Sequence, residues 1–156
     1  PMRNVWDFID KDSDVADYYM VTQPSMLSRI DEVSDYDSEF RGRVPVIKDF
    51  TMTITCKQMR CPNSGVVKIS DGKYRYLTEL ECWRLQGYSD DDYYRALSVN
   101  PGKQKCLNGA LYKHAGNSIP VPIFESLFRK IILGETAEVN TDVEIEAEQT
   151  GQLRFA

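Results

Sequence analysis

Apolar positions recur at two spacings along this chain, and the change of spacing divides it. Val121, Phe124, Leu127, Phe128 and Ile131 return every three or four residues, which predicts an amphipathic helix over about 120–133. Pro120 and Pro122 are tolerated only in its first turn, and Gly134 ends it. Earlier in the chain the period falls to two. VPVIKDF and TMTITC, residues 44–56, alternate or carry β-branched residues. That places Thr51, Thr53 and Thr55 on one strand face and Met52, Ile54 and Cys56 on the other. VVKIS and KYRYL flank Asp71-Gly72, a type I′ hairpin signal, because that turn needs positive φ. KQMRCPNSG, residues 57–65, is turn material with two basic groups.

Helical signals surround this β-like middle. Val5, Trp6, Phe8 and Ile9 fit one side of a turn or two of helix, and Tyr18, Tyr19 and Met20 read as an aromatic patch or short strand. TQPSMLSRIDEV, residues 22–33, predicts a second short helix with Met26, Leu27 and Ile30 inward, followed by polar loop. After the hairpin, Thr78 and Glu81 form a capping box, with Leu77 and Cys82 in staple positions and Gly87 as the stop, giving a helix over 79–86. Ser89 and Asp92 repeat the box with Tyr88 and Tyr93, giving a helix over 90–97. Asp90 and Asp91 suit its first turn, so this acidic run is read as capping rather than as a metal site. A third helix, about 108–115, ends at Gly116. Gly116 and Asn117 then form a tight turn, with Ser118 as the N-cap of the last helix. ETAEVNTDVEIEAEQTGQ is acidic and poor in large apolar residues, and reads as a tail.

Composition bounds what this can be. The 156 residues are 42% hydrophobic, enough for one modest core. Nothing resembles a signal peptide or a membrane span. Cys56, Cys61, Cys82 and Cys106 are irregularly spaced, which favours free thiols over disulfides, and they lack the paired spacing of structural zinc. The single histidine, His114, cannot build a metal site and is assigned packing or capping. The net charge of −5 argues against a polyanion partner, but its distribution does not. Residues 40–113 hold thirteen basic and seven acidic side chains, between flanks with three basic and ten acidic (1–39) and three basic and seven acidic (114–156). A basic middle focuses field locally even in an acidic chain.

Two segments carry a resemblance. RYLTELECWRLQGYSDDDYY, residues 75–94, resembles the ninth conserved motif of the DNA (cytosine-5) methyltransferases. LYKHAGNSIPVPI, residues 111–123, resembles their tenth, and order and separation match. Residues 4–30 resemble the connecting segment after the eighth motif, and 51–67 the end of the target recognition region. The chain lacks the family's Phe-x-Gly-x-Gly cofactor motif, its Pro-Cys nucleophile and its Glu-Asn-Val. The resemblance therefore implies the C-terminal third of such an enzyme, inactive alone, with no catalytic residue. Pro1 fits a chain start that is not a gene start.

The implied architecture is a mixed α+β fragment of an α/β enzyme. A connecting segment (1–39) leads to a small strand-rich target recognition region (40–76). Short helices and a C-terminal helix (77–134) follow, the last belonging against a Rossmann-like methyltransferase domain, and an acidic tail (135–156) closes the chain. By resemblance Asn117 and Ser118 contact S-adenosylmethionine, whose site is only partly present. Thr53, Thr55, Lys57 and Arg60 meet double-stranded DNA, joined by Lys103 and Lys105 as phosphate ligands. Glu81, Arg84, Gly87 and Gly116 are structural. The expected partners are DNA and the missing catalytic domain or large subunit, or self-association through the exposed apolar surface. The expected setting is the cytoplasm, bacterial or phage-encoded, in restriction–modification. Two other readings stand beside this one: the small subunit of a split methyltransferase, and a stand-alone non-catalytic DNA- or protein-binding module.

Overall fold

A computed structural model of the chain describes residues 4–32 and 42–134. The acidic tail and most of the polar loop lie outside them. The fold is mixed α/β with short elements. Three single turns of 3-10 helix (Val5–Asp7, Asp12–Asp14, Asp17–Tyr19) lead to helix α1 (Pro24–Leu27). Strand β1 (Ile30–Asp31) pairs in parallel with β2 (Val44–Pro45), and β3 (Val67–Ser70) pairs antiparallel with β4 (Lys73–Arg75). Helices α2 (Glu79–Leu85), α3 (Asp90–Val99), α4 (Gly109–Asn117) and α5 (Val121–Leu133) complete it. The chain divides into two units between Pro122 and Ile123.

Local signals explain most of these boundaries. Thr78 and Glu81 cap α2 reciprocally, as Ser89 and Asp92 cap α3. Gly87 ends α2 at φ 88° and Gly134 follows α5 at φ 65°, both in the left-handed region that glycine adopts without penalty. Helix α1 is shorter than the sequence pattern predicts: it stops at Leu27, and Ile30 joins β1.

Three expectations fail. Residues 51–55 have the alternation of a strand but join no ladder. Only Ile54 is buried: Met52 is half-buried like Thr51 and Thr55, and Cys56 is exposed, so the period of two in the sequence corresponds neither to sheet pairing nor to one buried face. The β3–β4 turn is not type I′, since Gly72 has φ 69° but Asp71 is not in the left-handed region. The ladder instead slips between Lys68 and Ser70. Asp71 is engaged by Lys68 at 2.9 Å. Third, α4 does not stop before Gly116 but runs through it to Asn117.

Two apolar clusters form the core of the first unit. Val5, Ile47, Ile54, Leu77, Cys82, Trp83, Leu111 and Tyr112 belong to one, and Val21, Met26, Val44, Val66, Tyr74 and Tyr76 to the other. Between them lies a buried ion pair. Arg75 and Glu81 are each 0% exposed. All five N–H groups of Arg75 find acceptors: Asp12 at 2.8 Å, the two Glu81 oxygens at 3.0 Å each, and the carbonyls of Asp10 (3.1 Å) and Tyr76 (3.2 Å). Glu81 also accepts the backbone N–H groups of Thr78 and Asp10. Burial works against the Arg75 charge, but Glu81 and then Asp12 outweigh it and hold its pKa above the usual value.

A second buried carboxylate lies in the same helical turn. Glu79, 2% exposed, accepts from the Tyr19 hydroxyl and the Asn108 backbone N–H. Burial raises its pKa above 4.5, although those two hydrogen bonds pull the other way.

Removing either partner of the Arg75–Glu81 pair strands the other charge in the core. Arg75→Ala and Glu81→Ala should each cost about 3–5 kcal/mol, with the double variant less than additive. Urea titrations check this. For Glu79, the folded state binds its proton more tightly than the unfolded state. Its contribution is therefore greatest in acid and is lost as pH rises through the raised pKa. Asp90 and Asp92, held low by Arg84 and Ser89, act in the opposite sense. Subtracting Glu79→Gln isolates the effect: the variant should gain stability on the wild type as pH rises from about 4 to 7. Parallel pH profiles would contradict the assignment.

Candidate functional site

The candidate residues lie on three segments of the first unit. Thr53 and Thr55 precede a turn over residues 56–60 that carries exposed Lys57 and Arg60. Lys103 and Lys105 are exposed in the 100–108 loop, where Lys105 has φ 54°, the one left-handed residue besides glycine among those described. Asn117 is the exposed last residue of α4, and Ser118 follows half-buried.

Helix α4 brings the three together. At its head, a Cβ on Gly109 would fall 3.1 Å from Met59 Cε, so the 56–60 turn reaches this end. Asn108 caps the helix and donates to the Asn100 carbonyl at 2.7 Å, so the 100–108 loop returns to the same place. At its other end, a Cβ on Gly116 would fall 2.6 Å from the Thr55 carbonyl oxygen and closer still to the Thr55–Cys56 peptide. Gly116 is therefore glycine for close approach, not for a left-handed turn.

Ser118 also differs from expectation. It is the C-cap of α4, not the N-cap of α5: its hydroxyl donates to the Ala115 carbonyl at 2.6 Å. The Asn117 side chain has no partner among the described residues and remains available as donor and acceptor.

The turn after α4 is held by a residue that sequence reasoning passed over. Gln86 is 5% exposed. Its side-chain amide donates to the Ala115 carbonyl at 3.0 Å, and its own carbonyl accepts from Val121 N–H at 2.9 Å. Gly87 lies under Pro122, where a Cβ would meet Cδ at 2.6 Å. The end of α2 thus clamps both sides of the Asn117–Ser118 turn. The one signal for this was the Gln-Gly pair at a helix stop. Trp83 Nε1 donates to the Leu111 carbonyl (3.1 Å) and Tyr112 to that of Leu77 (2.5 Å), which fix α4 along its length. His114 is exposed and sets its ring edge-on to Trp83 at 6.5 Å.

Basic side chains fall into two groups. Arg43, Lys68, Arg75 and Arg84 are in ion pairs, Arg84 with Asp10 and Asp90 at 2.7 Å each. Lys57, Arg60, Lys103 and Lys105 are exposed and have no ion-pair partner among the described residues, which is equally true of Lys11, Lys48, Lys73, Arg95, Lys113 and Lys130. Such charges are the ones a polyanion neutralises at least cost. No group of three or more His, Cys, Asp or Glu able to hold a metal occurs among the described residues. No helix of these is long and apolar enough to cross a membrane.

The profile of the C-5 cytosine-specific DNA methylases matches residues 9–133, and the chain belongs to that family. It is 48% identical over 60 residues to the orphan methyltransferase M.Rho11sI of Bacillus phage rho11s, covering 38% of this chain and 11% of that protein. It is 45% identical over 60 residues to the orphan methyltransferase M.SPBetaI of Bacillus phage SPbeta, with 38% and 12% covered. It is 40% identical over 87 residues to the type II methyltransferase M2.ScrFI of Lactococcus lactis subsp. cremoris, with 54% and 21% covered. The matched stretch thus spans a tenth to a fifth of these relatives. No solved structure gives a significant match.

Gln86→Leu keeps the packing volume but removes the donor to Ala115. It should cost about 1 kcal/mol and raise amide exchange at Ser118 and Val121, with the β3–β4 hairpin unchanged. Exchange by NMR checks it.

Proposed function

We propose that this chain supplies the DNA target recognition region and one edge of the S-adenosylmethionine site of a cytosine-5 methyltransferase. The observation that carries the reading is that the turn bearing Lys57 and Arg60 and the loop bearing Lys103 and Lys105 both meet the head of helix α4, whose far end bears Asn117. The cations neutralise phosphates and fix register, while residues 57–64 reach base edges. Thr53 and Thr55 add hydroxyl donors beside them.

The cofactor edge fits in part. Asn117 offers a free amide, and Ser118, its proton committed to Ala115, keeps acceptor lone pairs. When bound, S-adenosylmethionine supplies the activated methyl group. This chain's residues bind and orient at that edge. None of its four cysteines follows a proline. Attack on C6 of a flipped cytosine is therefore assigned to residues outside this chain, which supports the flipped state through recognition.

The partner that completes the reading is the family's catalytic domain, on the same or a separate chain. Helix α5 carries the surface for it: Ile123, Leu127, Phe128 and Ile131 are all exposed, with Phe124 and Phe128 stacked at 5.6 Å. An apolar stripe of this extent is characteristic of an interface.

Two measurements test this. Duplex DNA binding should weaken steeply with salt, and Lys57→Ala/Arg60→Ala should lower the log–log slope by about 2. Mixing the chain with a polypeptide carrying the Pro-Cys and Phe-x-Gly-x-Gly motifs should give methyl transfer to duplex DNA that neither part shows alone. Salt-independent binding together with no activity in the mixture would overturn the proposal.

A further inference from the structure

Gly109 and Gly116 are seven residues apart, two helical turns, and so lie on one face of α4. Each meets the recognition segment: Gly116 under the Thr55–Cys56 peptide, Gly109 under the Met59 side chain. Residues 55 to 59 therefore run along α4 opposite to its direction. Neither glycine has a left-handed φ, so the backbone does not require glycine at either site. Glycine is among the poorest residues for a helix interior. What requires it at 116 is contact, because any side chain would enter the space of a neighbouring main chain. The segment 51–55 has no strand neighbour, and α4 takes the place of one.

We propose that Gly116 is a positioning residue that joins the recognition segment to the cofactor edge, so that residues 53–58 and the Asn117–Ser118 turn move as one body. This rests on the roles given to those two segments under Proposed function, while the joint itself is a matter of packing. The peptide of Thr55 and Cys56 sits one residue from Asn117 along the helix. The same turn is clamped by Gln86 at Ala115 and Val121. A shift of the segment that carries Thr53, Lys57 and Arg60 is thereby passed to the helix end, and the reverse.

Hydrogen exchange on the full chain tests this. In the wild type, the amides of Arg60 and Cys61, which donate to the Lys57 carbonyl, and those at 115–118 should open with the same denaturant dependence, and independent opening overturns the proposal. Gly116→Ala should raise exchange at least tenfold at both segments, leaving the β3–β4 hairpin protected. Gly109→Ala, whose methyl meets only the tip of Met59, should raise exchange at Arg60 and Cys61 and spare 115–118. If Gly116→Ala does not fold, the wild-type comparison and Gly109→Ala still decide. With duplex DNA as probe, Gly116→Ala should weaken binding about tenfold although every cation is retained. Unchanged exchange at Arg60 and Cys61 in Gly116→Ala overturns the joint whatever happens to DNA binding. A wild-type chain with no affinity for duplex DNA at low salt, but with coupled exchange, removes the recognition reading and keeps the joint.

Discussion

The buried pair of Arg75 and Glu81 is the constraint on which the first unit depends. Desolvating a guanidinium costs several kcal/mol unless every N–H is satisfied and a counter-charge lies close. Here the last residue of β4, the first turn of α2 and the peptide around Asp10 meet at one point, and five donors meet five acceptors. The pair is therefore a specification as much as a stabiliser. A hairpin displaced by one residue would turn Arg75 toward the opposite face and leave Glu81 buried without a counter-ion. The N-terminal segment has little regular structure of its own, and Asp10 and Asp12 hold it by binding charges already fixed elsewhere.

Glu79 does for the loops what Glu81 does for the hairpin. The two carboxylates stand two residues apart at the N-terminus of α2, where negative charge is favoured. Glu79 gathers Tyr19 and the head of α4, Glu81 gathers Arg75 and the peptide of Asp10. The first turn of α2 is thus a hub for four segments, three of them remote in sequence. The 100–108 loop, with Lys103 and Lys105, hangs from this hub through Asn108. In this way a buried acid sets where exposed cations stand.

Features decided within a few residues were legible in the sequence. The reciprocal boxes at Thr78–Glu81 and Ser89–Asp92, the stop at Gly87 and the extent of α5 depend on neighbours three or four positions away. Features decided by distant contact were not. Residues 51–56 alternate in sequence as a strand would, but only Ile54 is buried, and its neighbours in the core come from segments far along the chain. Gly116 and Ser118 were read through the turn chemistry usual for such residues, and their roles as a contact glycine and a C-cap depend on Thr55 and Ala115. Arg75 sat unremarked in a hairpin because nothing local marks a charge as buried. In the candidate site, residue types and the resemblance pointed to Lys57, Arg60 and Asn117. Gln86, which holds the turn, shows no such mark, since glutamine at a helix end is commonly solvent-facing.

The double hold of Gln86 and Gly87 on the Ala115–Pro122 turn has a consequence for how such a chain can change. The two ends of the stretch between α2 and α5 are tied to each other directly, not through what lies between. The loop between them is itself divided: Asn108 donates to the Asn100 carbonyl and a Cβ on Gly102 would meet the Asn108 amide at 2.8 Å, whereas residues 103–106 are exposed. Reach and anchoring thus fall to different residues: 103–106 face solvent, while Asn100, Gly102 and Asn108 fix the base of the loop at the head of α4.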